Sequence, residues 1–458
     1  MRRFNDKAQT GAPERSTVQS TGQGNKELLR SMDARIVLLA KQLLLLQDKW
    51  AYILYLLTLL SSVAFFNPFG IIQETRFPAR VFEVMVVISG IYSLKKSGRR
   101  SFKGIPAILF WMFILMSFVS MIMAQRYHNQ SVRDSFFATF PIIGGYLYFI
   151  ILLRFRIPSK VIVKTIKTFI VISTIVYFVN LIAIPYRVFE WGRYDVESTR
   201  GMARLWIPFI SLHVFSFFYH IHLYTSGNST KATRRWIFLG AVMILLSLTR
   251  QYIFVAYMLG GLMFMSRMSL SRKGLFVVFL FLAVFVLPRI QIVQNLVSLS
   301  NTQLASLSAV EQNERVRAFY YFTKEEQVNR TTELFGNGVP SMGYSEWGKR
   351  IEIVKKQSGY TLADIGWTGI FFYFGWAGIL LLLAFFLYTA FIKVELKYKY
   401  CKYWIIYIVL ISIASAPVTY SYEVLSISTI LYLVYNSRRE RLLVRIALEK
   451  SSIAQSQS

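Results

Sequence analysis

Runs of about 20 predominantly apolar residues recur from Trp50 to Tyr435, and no other feature constrains the fold so tightly. Inside a bilayer the backbone has no water to bond with, so such a segment must close its own hydrogen bonds as a helix. Composition points the same way. Of the 458 residues, 55% are hydrophobic and only 16% charged, against about 25% charged in a soluble domain. That excludes a disordered chain and disfavours an ordinary cytosolic enzyme. The expected fold is an all-α polytopic membrane protein.

About twelve spans are expected, with cores near 50–66, 78–94, 105–124, 134–153, 161–185, 205–224, 236–249, 251–266, 274–290, 362–388, 403–417 and 423–435. The chain then divides into five parts. Residues 1–49 combine a polar, basic, Ser/Thr/Gly/Gln-rich tail, expected to be disordered, with an amphipathic stretch. In that stretch Leu29, Met32, Ile36, Leu39, Leu43 and Leu46 share one helix face, as for a helix lying on the inner membrane surface or, at the cost of being short for it, a coiled coil with a partner. Residues 50–290 hold spans one to nine, 291–361 form a long loop, 362–435 hold the last three spans, and 436–458 are a basic tail.

The balance of 52 basic to 23 acidic residues, a net +29, admits three causes: nucleic acid, positive cytoplasmic loops, or an anionic substrate or lipid head group. In a membrane chain the last two are commoner, and no nucleic-acid partner is expected. Lys95, Lys96, Arg99, Arg100 and Lys103 make one clear inner loop, and Arg438, Arg439 and Arg441 follow the last span. Both termini are therefore expected in the cytoplasm, with the long loop outside. A connector of that length is usually functional or disordered. Here Val293, Leu296, Val297, Leu304, Leu307 and Val310 suggest an interfacial helix, 313–322 a second helix, and Gly336-Asn337-Gly338 a turn, so the loop is expected to fold against the membrane.

Four constellations could carry chemistry. Arg250, in Ser247-Leu248-Thr249-Arg250-Gln251-Tyr252, lies between two apolar stretches, where an unpaired charge is costly; the bland alternative is an arginine snorkelling to the interface. Arg315 and Arg317, with Glu314, are two apart on a helix and point in different directions, so at most one faces a site; the alternative is a solvated charge cluster. Arg204, in Arg200-Gly201-Met202-Ala203-Arg204, stands at the outer entrance of the sixth span, preceded by Arg187 and Arg193, or is a tolerated interface arginine. Asp364 heads an apolar helix, as a base or as a helix cap. Together they would make an anion site. Arginines hold and stabilise a leaving diphosphate, and the carboxylate takes the proton from an attacking hydroxyl.

Several negatives narrow this. There is no Asp-x-Asp for metal-bound nucleotide sugars and no ATP-binding loop. Cys401 is the only cysteine, so neither an intrachain disulfide nor a thiolate cluster can form. His213, His220 and His222 share one helix, but an i, i+2 pair does not share a face, so they read as packing residues. No metal and no cofactor is expected.

In chain order the sequence carries an arginine in a Thr-Arg-Gln turn, arginines in a long outer loop, Gly-x-Gly, an Asp-x-Gly-Trp-x-Gly helix start, and Gly375 and Gly378 beyond it. This order resembles the Wzy-type O-antigen polymerases and their WaaL-like O-antigen ligase relatives, mainly over 200–388. The resemblance implies a metal-independent, inverting, C-type glycosyltransferase. Its substrate would be an oligosaccharide on undecaprenyl diphosphate at the periplasmic face of a bacterial inner membrane, and a chain-length regulator would be a further partner. Arg250 and Arg317 would grip diphosphate with Arg204 assisting, and Arg315 is a further candidate. Ligases of the family have histidine near the start of the helix after the long loop. Asp364 in that region favours polymerase over ligase. A lipid-linked oligosaccharide flippase is the rival from another class, and it should carry its arginines at mid-membrane depth.

Overall fold

The computed structural model describes residues 49–63, 77–95, 102–184, 188, 194–197, 202–205, 207, 209–266 and 314–437. The expected tail and surface helix within 1–48, the loop 96–100, Arg187, Arg193, Arg200, the ninth span, the interfacial helix at 293–310 and the tail from 438 lie outside them.

The described chain is helical apart from one short hairpin. In order come α1 (Lys49–Ser62), α2 (Phe77–Leu94), α3 (Ile105–His128), α4 (Val132–Phe155) and α5 (Ser159–Ile182). Strands β1 (Tyr194–Glu197) and β2 (Met202–Leu205) pair antiparallel with Asp195 opposite Arg204. Then follow α6 (Ile210–Thr225), α7 (Lys231–Leu246) and α8 (Arg250–Met265). After these come α9 (Glu314–Tyr320), running into a π turn at Tyr321–Glu325, α10 (Arg330–Phe335) and α11 (Glu346–Ser358). A 3-10 turn (Leu362–Ile365) precedes α12 (Trp367–Phe391); α13 (Lys399–Ile411) and α14 (421–437) complete the described chain.

Each of the eleven expected spans that reach the described residues overlaps a helix. Four of these, α3, α4, α5 and α12, are long and apolar enough to cross a membrane. Helices α6, α7 and α8 have 16 residues each and α13 has 13, short of the roughly 20 that a 30 Å hydrocarbon core requires. The sequence marks apolar runs, but turns and caps cut several of them down. Leu248, for example, has a positive φ of 51° and separates α7 from α8.

The outer faces fit a membrane. Along α3 the exposed residues Ile105, Ile108, Met112, Leu115, Phe118 and Ile122 follow helical spacing, and α2 exposes Val84, Val87, Ile88, Ile91 and Leu94. Water would not tolerate apolar stripes of this extent. Inside, polar side chains bond to backbone carbonyls across helices. The Ser428 hydroxyl donates to Gly145 O (2.6 Å), Tyr146 Oη to Val418 O (3.2 Å), and Trp404 Nε1 to Ser211 O (2.7 Å). A Cβ on Gly145 would stand 2.8 Å from Val424 Cγ1, so α4 and α14 meet only because that residue is small.

The segment 314–361 is a folded lobe. Its core joins Ala318, Phe322, Trp347 and Ile351 to Phe372 of α12. Gln130, fully buried between α3 and α4, uses all of its hydrogen-bonding capacity. Its Nε2 donates to Ser135 Oγ (3.0 Å) and Val339 O (2.9 Å), and its Oε1 accepts from Ser341 N (2.8 Å) and Ser345 Oγ (2.7 Å). The lobe also completes a helix. Within α12, Gly375 is non-helical (φ 67°, ψ −175°), and such a break deprives the carbonyls just before it of helical donors. The Phe372 and Tyr373 carbonyls instead accept from Asn337 N (2.8 Å) and Gly338 N (3.1 Å). The Gly-Asn-Gly stretch expected as a turn is instead irregular chain that plugs the broken helix.

Gly336 (φ 85°, ψ 164°) occupies backbone space that is essentially glycine's alone, and a Cβ there would lie 2.2 Å from Tyr373 O. Gly336→Ala should therefore cost on the order of 3 kcal/mol or more. Thermal unfolding and limited proteolysis should show a lowered midpoint and new cuts within 314–361. Gly227→Ala, at φ 81° with no atom within 4 Å of the added Cβ, should show only mild strain. Equal behaviour of the two variants would rule out the plug.

Candidate functional site

Helices that alternate in direction start at the same end of a bundle every second time. In this protein the starts of α6, α8 and α14, and the turn before α12, meet at one end together with the first turn of α9. They enclose a cavity of about 90 Å³. Its lining comprises Leu205, Ile207 and Ile210 around the start of α6; Ser247, Thr249, Gln251 and Tyr252 around the start of α8; Arg315; Asp364; Ser415 and Tyr420 between α13 and α14; and Tyr422 and Glu423 in the first turn of α14.

Two carboxyl groups and one guanidinium thus share a small space. Asp364 is exposed, and its Oδ2 accepts from Thr361 Oγ1 (2.9 Å). It does not cap α12: the N-cap is Gly366 (φ 55°), with no side-chain cap, and a Cβ on Gly366 would fall 2.3 Å from Ser412 O. The tight passage of the chain at Gly366, against the end of α13, is what leaves Asp364 in a turn facing the cavity. Glu423 is only 2% exposed and accepts from the hydroxyl of Ser211 in the first turn of α6. Tyr252 Oη and Ser415 Oγ lie 3.2 Å apart, and the rings of Tyr420 and Tyr422 stack with centroids 5.6 Å apart. Burial, then the fields of Tyr252, Asp364, Tyr373 and Glu423, hold the Tyr420 phenol well above its ordinary pKa, so it acts as a neutral hydroxyl.

Opposing these acids are Arg315 and the starts of α6 and α8. Neither helix has a side-chain cap, and a helix N-terminus carries roughly half a positive charge.

The expected arginines divide. Arg315 lines the cavity with Asp364. Arg317, two residues on, lines a different groove with Tyr320, Tyr321 and Tyr360, its guanidinium carbon 5.9 Å from the Tyr360 ring centroid. The expectation that at most one of the pair faces a given site matches this, but the member beside Asp364 is Arg315. Arg250 opens α8; its chain neighbours Thr249 and Gln251 line the cavity. Arg204 lies on β2, next to the lining residue Leu205. A convergence of several guanidinium groups on one carboxylate is therefore not the arrangement among the cavity-lining residues.

Sequence reasoning missed Glu423, although an acidic residue heading an apolar helix is the same signal that marked Asp364. It also missed Glu326, the buried centre of the lobe. Glu326 receives Trp347 Nε1 (2.9 Å) and Tyr321 Oη (3.1 Å) and pairs with Arg350. Burial, with Glu326 adding, pushes the Tyr321 hydroxyl up to about 12. The histidines read as packing residues are placed accordingly: the His220 ring stacks on Trp236 (5.3 Å) and His213 meets Ser173 Oγ (3.2 Å).

Ser211→Ala would remove the hydroxyl donor of the buried Glu423 carboxyl while keeping the Ser211 backbone donor, and should cost about 1 kcal/mol. A lower unfolding midpoint of the purified protein checks this, and an unchanged midpoint would mean that the bond carries nothing. No protein-family model matches this chain, and no curated protein matches it.

Proposed function

We propose that the chain is a glycosyltransferase that polymerises oligosaccharide repeat units carried on undecaprenyl diphosphate, working at the periplasmic face of a bacterial inner membrane without a metal. The observation that carries this reading is the shared cavity of Asp364 and Arg315 at the loop-bearing end of the bundle. The family resemblance supplies the substrate class, and the basic inner loops support the outward orientation of that end.

The cavity itself, at about 90 Å³ with two carboxyl groups, suits an acceptor hydroxyl better than a diphosphate. In the proposed step Asp364 takes the proton of that hydroxyl as its oxygen attacks the anomeric carbon of the donor. The bond from that carbon to the diphosphate oxygen breaks, and the configuration inverts. The leaving diphosphate, at the rim, takes its stabilisation from Arg315, from Arg250 and from the start of α8. Glu423 shapes the cavity from behind, held by Ser211. A flippase would want its cations in a path through the bilayer. The position of Arg315 among helix starts favours the enzyme, and Asp364 favours polymerase over ligase.

The test is purified protein in membranes with one defined lipid-linked repeat unit. A ladder of lengthened products is expected. Asp364→Asn should reduce it by about 100-fold or more, and Arg315→Ala should abolish it, both with the protein still inserted. Full activity of Asp364→Asn would remove the proposed base, and lipid movement across vesicles without a ladder would make the protein a transporter.

A further inference from the structure

On the far side of α9 from the cavity lies a groove of about 480 Å³, bordered by Arg317, Tyr320, Tyr321, Glu325, Ser358 and Tyr360. Its volume falls within the roughly 300–1,000 Å³ of small-molecule sites. Three chain segments build it: α9, the π turn that extends it, and the end of α11 with the residues that follow. The π turn matters because it shifts the helix phase where Tyr321 and Glu325 enter the lining. The hydroxyl of Tyr321 is already committed to Glu326, so what the residue offers the groove is its ring. That ring lies 5.8 Å from the ring of Tyr360, tilted by 46°. Tyr320 is 51% exposed beside them.

One exposed ring and two half-buried ones, flanked by charges of both signs, call for a ligand that is flat and weakly apolar on one side and rich in hydroxyls at its edge. A membrane surface would instead select basic groups without Glu325.

We propose that the groove lined by Arg317, Tyr320, Tyr321, Glu325, Ser358 and Tyr360 is a carbohydrate-binding site that holds a pyranose segment of the glycan, its ring against the tyrosine faces and its hydroxyls on Glu325 and Arg317. This rests on the reading of the substrate as a lipid-linked glycan and deepens it. A groove outside the cavity holds sugar residues away from the reacting end, so binding energy from non-reacting parts of the substrate orients the end that reacts. It also gives Arg317 a role separate from the diphosphate.

The experiment uses the full chain in nanodiscs with Ser358→Cys as a reporter. Cys401 is fully buried, so a membrane-impermeant maleimide should read position 358. The probes are di- and trisaccharides, neutral and uronic-acid-containing. Expected are ready labelling, saturable protection by at least one saccharide, and at least a tenfold weaker protection when Tyr320→Ala or Tyr360→Ala is added. Tyr320→Phe, which keeps the ring, should restore protection. Resistance to the reagent would put the groove in lipid and overturn the proposal. Labelling that no saccharide slows, or protection indifferent to both alanine variants, would overturn it too. A product ladder without protection would sink the groove and leave the polymerase, whereas protection without a ladder would keep the groove and sink the polymerase.

Discussion

Backbone groups in apolar surroundings must be paired, and the break in α12 is where that requirement organises the protein. Gly375 interrupts the most apolar of the long helices, and the interruption is tolerable because Asn337 and Gly338 bring their N–H groups to the Phe372 and Tyr373 carbonyls. The exchange works in both directions. A Cβ on Gly375 would strike Leu334 O at 2.3 Å, so helix and plug each leave room that only glycine provides. Once the plug is seated, Gln130 pins the following residues from the α3–α4 junction, while Asn337 Nδ2 reaches Gln327 Oε1 (2.7 Å). The lobe is thereby fixed to the bundle by satisfied polar groups, which resist rearrangement more than apolar packing alone would.

The candidate site depends on that attachment. Arg315 belongs to the lobe, whereas Asp364, Glu423 and the starts of α6 and α8 belong to the bundle. They share a cavity only while α9 stays against the 3-10 turn at Leu362–Ile365. The buried residues Ala318, Phe322, Leu362 and Ile365 make that contact. Charge follows from connectivity, because helix starts collect at one end and bring their positive poles together. Of the two acids it is Glu423 that is buried, held by the Ser211 hydroxyl, whereas Asp364 stands exposed at the same cavity.

The periodic features were legible in the sequence. Apolar runs marked every helix of the described bundle, and the composition of 313–322 marked a helix in the lobe, whereas Gly336-Asn337-Gly338, expected as a turn, is irregular chain laid against α12. Helix lengths were less legible, since hydropathy continues through a residue such as Leu248 whose backbone leaves the helix. Partnership was not legible at all. Nothing local to Asn337 announces Phe372, and nothing near Ser211 announces Glu423, because both pairings join residues far apart in the chain. Asp364 was found as a polar exception at the head of an apolar run. Glu423 is the same kind of exception, but it stands behind two tyrosines that blur where the run begins.

The separation of Arg315 from Arg317 shows how far helical phase alone can carry a functional argument. Two residues advance a helix by about 200°, so the two side chains leave α9 on nearly opposite sides. Phase therefore says that one arginine at most serves a given cleft. Choosing between them needs the side on which α9 packs, which is set by Ala318 and Phe322 turning toward Phe372 and Trp347. With that face buried, Arg315 is directed to the helix starts and Arg317 to the tyrosines. α9 becomes a wall with an exposed cation on each side, one lining a small cavity with two acids and one lining a larger groove with aromatic rings. A guanidinium beside carboxyl groups suits proton transfer and charge stabilisation, and a guanidinium beside aromatic faces suits sugar rings. The proposed chemistry therefore falls to the Arg315 side, with the two acids, and the proposed recognition of a glycan falls to the side of Arg317, with the tyrosines.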